Sequence, residues 1–154
     1  MTYVEGLISQ VSMMTYIEGV VTHVVVLAIA YALAFPIGWE REKKERSAGL
    51  RTFPLVALAS CGFIQGTEAF LSNSPEGTAR VVEGLITGVG FIGGGAILKH
   101  GASVQGTATA ASLWATGAIG TTVGLGSFDV AIAIMVLTFL TLKLLPLIKD
   151  EGGS

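Results

Sequence analysis

VVTHVVVLAIAYALAFPIG, residues 20–38, decides the fold, together with the run Glu40-Arg41-Glu42-Lys43-Lys44-Glu45-Arg46 that closes it. The stretch holds no Asp, Glu, Lys or Arg, and as a helix it is long enough to cross the ~30 Å hydrocarbon layer of a bilayer. Further blocks follow at about Phe53–Leu71, Val81–Leu98, Thr107–Leu125 and Val130–Ile148. Between them lie Ser72-Asn73-Ser74-Pro75-Glu76-Gly77, Lys99-His100-Gly101 and Gly126-Ser127-Phe128-Asp129, all too short for a separate soluble domain. The expected fold is all-α, a polytopic membrane bundle of five transmembrane helices. A segment over residues 1–19 precedes a transmembrane domain over 20–149, and a polar tail covers 150–154.

Composition points the same way. Of 154 residues, 51% are hydrophobic and only 13% charged, with mean hydropathy +0.71, where a soluble domain carries charge at about a quarter of its positions. The formal net charge of -2, with no long basic tract, excludes nucleic acid as a partner class. The single cysteine, Cys61, excludes an internal disulfide and reads as a small apolar residue of the second span. The N-terminus lacks a basic region and carries Glu5 and Glu18, unlike a signal peptide. Thr2-Tyr3-Val4-Glu5-Gly6 recurs as Thr15-Tyr16-Ile17-Glu18-Gly19, and an alternative start near Met13 or Met14 explains the repeat better than a functional module does.

The basic residues give an orientation. With five spans, Arg41, Lys43, Lys44, Arg46, Arg51, Lys99, Lys143 and Lys149 share one side, and only Arg80 falls on the other. The positive-inside rule then places the N-terminus outside and the C-terminus in the cytoplasm of a bacterial inner membrane. Lys143 lies within snorkelling reach of the cytoplasmic surface.

Four segments offer polar or unusual chemistry. At the first corner Glu40, Arg41, Arg51 and Thr52 are polar candidates, and Glu40 and Arg51 stand at the membrane ends of adjacent spans, where a carboxylate and a guanidinium suit one another at low dielectric. The third span holds Gly84, Gly88, Gly90, Gly93, Gly94 and Gly95. Glycines four apart let helices approach closely in lipid, while three in a row weaken a helix and suggest a break of the kind that binds ions or substrates. The fourth span, with Gly106, Thr107, Thr109, Ser112, Trp114 and Thr116, is built of small residues and suits burial against neighbours. Toward the outer side, Glu68, Arg80 and Glu83 form a candidate polar set, with Arg80 and Glu83 three apart on one helix face. Two or three carboxylates do not define a magnesium site. His23 and His100 lie at opposite ends of spans, and no nucleophile–base pair emerges. A non-enzymatic protein without a cofactor is the expectation.

These segments together resemble the MgtC/SapB family of bacterial membrane proteins. Gly38-Trp39-Glu40-Arg41-Glu42 meets the pattern G-x-E-R-E, and Ala48-Gly49-Leu50-Arg51-Thr52 stands as A-G-L-R-T. Gly88 to Gly95 fits G-[IV]-G-F-[IL]-G-x-G, and Val104 to Trp114 is similar to V-x-G-x-x-T-A-A-x-x-W. Two departures stand out. Gly77 replaces the acidic residue that usually precedes the arginine by three positions, and many relatives carry a cytoplasmic C-terminal domain after the fifth span. The resemblance implies a role in magnesium homeostasis and in adaptation to low magnesium or to the host. Some family members are viewed as regulators of another membrane complex, the ATP synthase among them. The leading expectation is action by helix–helix contact, with a second copy (a dimer) or another membrane complex as partner within the lipid bilayer. The alternative is an ion or small-solute channel or carrier built on a glycine-broken third helix.

Overall fold

The computed structural model describes residues 3–43, 48–71, 73–100 and 103–151. The described residues hold five helices: α1 (Tyr3–Glu42), α2 (Thr52–Leu71), α3 (Pro75–Gly95), α4 (Thr107–Gly124) and α5 (Phe128–Glu151). A two-stranded antiparallel hairpin, β1 (Leu98–His100) and β2 (Ser103–Gln105), joins α3 to α4, with Leu98 opposite Gln105 and His100 opposite Ser103. With three residues in each strand, this hairpin is a connection between helices and leaves the all-α class standing.

Helix α4 is the axis of the bundle and touches each of the other four helices. Its small residues make this possible. A Cβ added at Gly120 would collide with the backbone carbonyl of Ala57, and one at Gly124 would stand 3.1 Å from the Cys61 carbonyl and 2.8 Å from Ile64 Cβ. The α2 and α4 backbones are therefore pressed together, as small-residue faces allow in lipid. At Gly117 the neighbour is Val89 of α3, 2.8 Å from an added Cβ. The buried hydroxyls of Ser112 and Thr116 are satisfied within the helix: Ser112 donates to Ala108 O at 2.8 Å and Thr116 to Ser112 O at 2.8 Å. Burying them thus leaves no orphaned donor. Ala30, Ala34 and Ile37 of α1, Phe53, Ala57 and Cys61 of α2, and Leu113, Ile119 and Val123 of α4 form the core.

The periphery is apolar too. Phe70 is 84% exposed, Phe91 85%, Leu137 66% and Phe63 61%, a surface that water does not tolerate at this density and hydrocarbon does. Among the described residues, three segments are by themselves long and apolar enough to cross a membrane: Ser12–Glu42, Thr52–Leu71 and Phe128–Pro146. Helices α3 and α4 fall short of that apolarity: in α4 glycine, threonine and serine replace large apolar side chains, and α3 carries Glu76, Arg80 and Glu83 besides its glycines. In α4 the reason is its central place; in α3, which is mostly exposed, protein packing inside one chain is not the reason.

Two expected features differ in the structure. The first span was expected over 20–38, whereas α1 runs for 40 residues, a length of about 60 Å and roughly twice the hydrocarbon thickness. Pro36 sits within it, as membrane helices allow. The expected glycine break is not there: Gly88, Gly90, Gly93, Gly94 and Gly95 all lie in continuous helix. The α3 start is well made, with Ser74 Oγ accepting from Gly77 N at 3.1 Å, Pro75 at the first turn and Glu76 beside it. At the far end, Ala96 N donates to Gly93 O and Ile97 N to Gly94 O, so consecutive glycines here end a helix rather than unwind one.

Candidate functional site

The charged end of the bundle gathers side chains from all four sequence motifs. Ala30, Ala34, Ile37 and Arg41 are all buried, and their spacing places them on one face of α1. Arg41 therefore enters the bundle at the position where the apolar stripe would continue, and it is only 5% exposed. Its guanidinium donates to Thr109 Oγ1 of α4 at 2.5 Å, across 68 residues of sequence. Thr109 itself is fully buried. A buried cation at a membrane end carries a large desolvation cost and persists where hydrogen bonds offset it.

The neighbouring carboxylate fastens the connection to α2. Glu42 accepts a hydrogen bond from Leu50 N at 3.1 Å, and Gly49 leaves the room for it, since a Cβ there would meet Glu42 Oε2. Gly38 brings α1 against the same turn, with an added Cβ only 3.3 Å from Gly49 O, Leu50 Cα and Phe53 Cβ. Trp39 lies outward, its ring tilted 37° to that of Phe35 with centroids 6.0 Å apart, and Lys43 Nζ sits 5.3 Å from the Trp39 ring centroid, an arrangement suited to a membrane interface.

The third and fourth motifs meet on the adjacent flank of α4, one residue along from Thr109. Gly93 packs on the Ala110 backbone, its added Cβ 3.2 Å from Ala110 O. Gly106 holds φ +88° at the start of α4, and a Cβ there would run into the Ala96 carbonyl. Both reasons demand glycine. Thr107 opens α4, and Trp114 is exposed along a cavity of about 270 Å³ between α3 and α4. A second cavity of about 560 Å³ opens beside Arg41 and is walled by Gln105, Thr107, Thr141 and Leu145.

Among the described residues, the contacts that link the motifs include those of Arg41 with Thr109 and of Glu42 with Leu50. Arg51 is exposed, with Thr52 behind it, at the mouth of a groove between α2 and α3. Glu40 is half-buried at the same end. The signal for Arg41 was present in the sequence as the 30-34-37-41 spacing, which runs on into the charged run. At the other end, Glu68 lines a cavity of about 220 Å³ with Thr67, Thr78 and Gly124. Arg80 and Glu83 are exposed there, and no ion pair joins them among the described residues. Among the described residues no three His, Cys, Asp or Glu side chains gather to hold a metal.

A helical membrane protein, with a buried arginine tying its first helix to a small-residue central helix, is the class that this fold and site define. The MgtC family profile matches residues 27–150; the chain belongs to the MgtC family. It is 40% identical over 113 residues to an uncharacterized protein of Synechocystis, covering 72% of this chain and 47% of that one. It is 37% identical over 115 residues to Protein MgtC of Salmonella typhimurium, covering 75% and 48%. Protein MgtC of Brucella abortus is 36% identical over 124 residues, covering 80% and 51%. The chain thus spans about half the length of these relatives. No solved structure matches it.

Proposed function

We propose that the chain is a multi-pass protein of the bacterial inner membrane that serves magnesium homeostasis or low-magnesium adaptation by helix–helix contact, with itself or with another membrane complex. Under this reading all five helices cross the bilayer, and the Arg41 end faces the cytoplasm as the positive-inside rule requires. The observation that carries the contact reading is the outer face of α3. Glu83, Thr87, Gly90 and Gly94 follow one another at helical spacing, all exposed, and a Cβ at Gly90 or Gly94 would meet nothing within 4 Å. A lipid-facing helix would fill such positions with large apolar side chains; small residues in their place suit a second helix. The continuity of α3 and the apolar walls of the neighbouring groove favour contact over a channel or carrier.

The test is to replace Gly94, and separately Gly90, with Leu in the full chain. Wild-type chain is expected to self-associate or to retain a membrane partner, and to restore growth of a deletion strain at limiting magnesium; the variants are expected to lose both. Unchanged assembly and full rescue by both variants would refute the reading.

A further inference from the structure

A groove of about 600 Å³ runs between α2 and α3, on the opposite flank of α3 from the Gly90 and Gly94 face. Leu55, Ala59 and Phe63 form its α2 wall, and Gly84, Gly88 and Ile92 its α3 wall. All six are exposed, so the groove opens sideways to the hydrocarbon. Its depth comes from absent side chains, because a Cβ at Gly84 or Gly88 would meet nothing within 4 Å. Along α2 it extends from Thr52 to Phe63, a rise of about 16 Å. That is roughly half of a ~30 Å hydrocarbon core, or one leaflet.

One end of the groove is charged. Arg51 stands at its mouth, exposed and held by no hydrogen bond or ion pair among the described residues. This is the basic end of the bundle, the one that the reading above places at the cytoplasmic leaflet, where anionic headgroups attract basic side chains. An apolar slot of single-leaflet length ending at a fixed cation matches a lipid chain with an anionic head. A second copy is less well matched, since copies inserted the same way round would bring Arg51 toward Arg51 at the same depth.

We propose that this groove binds an anionic phospholipid of the cytoplasmic leaflet, one acyl chain lying against Gly84 and Gly88 and the headgroup phosphate meeting the Arg51 guanidinium. The test is native mass spectrometry on the full chain in detergent, titrated with dioleoyl phosphatidylglycerol or with phosphatidylcholine of the same chains. Wild type should retain phosphatidylglycerol about fivefold better, the preference that one basic side chain near a membrane surface confers. Arg51→Ala should erase that preference and Arg51→Lys should keep most of it. Gly88→Leu should lower retention of both lipids by filling the slot, while Gly94→Leu, on the other face, should change neither. Helical circular dichroism and thermal melting show that each variant is folded, and Arg51→Lys serves if Arg51→Ala is not.

Equal retention of the two lipids by wild type would overturn the proposal, as would a wild-type preference in Arg51→Ala. A change of oligomer size in Gly88→Leu with lipid retention unaltered would assign the groove to a second copy and overturn it too. Loss of assembly in Gly94→Leu bears only on the contact reading and leaves this one standing.

Discussion

Replacing Thr109 with Val is the most direct perturbation of the motif corner. The side chain keeps its shape but loses the oxygen that accepts from Arg41 at 2.5 Å. Thr109 is fully buried and Arg41 is 5% exposed, so water does not readily replace the lost acceptor. Interhelical hydrogen bonds in membrane bundles average only about 0.6 kcal/mol. A bond to an ion is worth about 1.5–3 kcal/mol, and the upper part of that range applies when the ion stays buried. Thr109→Val is therefore expected to cost about 1.5–3 kcal/mol in denaturant-induced unfolding in detergent micelles. The second half of the cycle is sharper. In an Arg41→Ala background nothing charged remains for Thr109 to satisfy, so the same substitution should cost less than about 0.5 kcal/mol, and the coupling should be at least about 1 kcal/mol. Additive costs, or a Thr109→Val penalty indistinguishable from that of an exposed threonine such as Thr22, whose hydroxyl bonds only its own helix, would refute the claim that a charge-assisted bond ties α1 to α4.

Three further outcomes are expected. Gly120→Ala should destabilise by at least about 2 kcal/mol, because its methyl meets the Ala57 backbone, which no rotamer relieves; Gly90→Ala, with open space at its Cβ, should be neutral or slightly stabilising in the same unfolding assay. Gly106→Ala and Gly126→Ala both force alanine to positive φ, +88° and +79°, at about 1 kcal/mol each, but only Gly106 also meets a backbone atom, so its penalty should be clearly the larger in melting temperature. Glu42→Ala removes the acceptor for Leu50 N and should cost about 1 kcal/mol or less at this exposed position, read most directly as faster amide exchange at Leu50.

Much of the fold was legible in the sequence because lipid imposes a simple rule. A run such as Val20–Gly38 has one stable form at membrane depth, and the turn residues between the blocks mark where the chain reverses. The start of α4 was equally plain, at Thr107 as the fourth block was placed; α3 begins at Pro75, six residues before the Val81 at which the third block was placed, because Ser74-Pro75-Glu76 reads equally as a turn and as a helix cap. The extension of α1 back to Tyr3 was not, because Ser9, Gln10, Ser12 and Thr15 dilute its apolarity without breaking the helix. The glycine run was ambiguous for a physical reason. Glycine's cost in a helix is about 1 kcal/mol per residue, and whether α3 bears it depends on contacts such as Gly93 on Ala110, which are set by the tertiary fold. The candidate site was legible only as a set of residues. The motifs name Glu40, Arg41, Arg51 and Thr52 together, but adjacent charges such as Glu40, Arg41 and Glu42 point to different sides of a helix, and telling which one turns inward requires the phase of the apolar stripe. Continuing 30-34-37 by one more turn puts Arg41 on the inward face.

The composition of α4 bears on how the chain is made. The helix at the centre of the bundle is one that hydrocarbon does not want on its own, since glycines and hydroxyls stand where partitioning demands Leu or Ile. On the five-span reading it leaves the insertion machinery after α1–α3 and before α5. A stable place for it exists only in the crevice between α2 and α3, where Gly117, Gly120 and Gly124 fit against Val89, Ala57 and Ile64. Its entry into the bilayer is then a docking event onto nascent neighbours. A substitution that spoils this seam should therefore appear first as failed integration of α4 during synthesis, with glycosylation-site or protease mapping finding its ends on the wrong side, before any loss of stability is measurable in the purified protein.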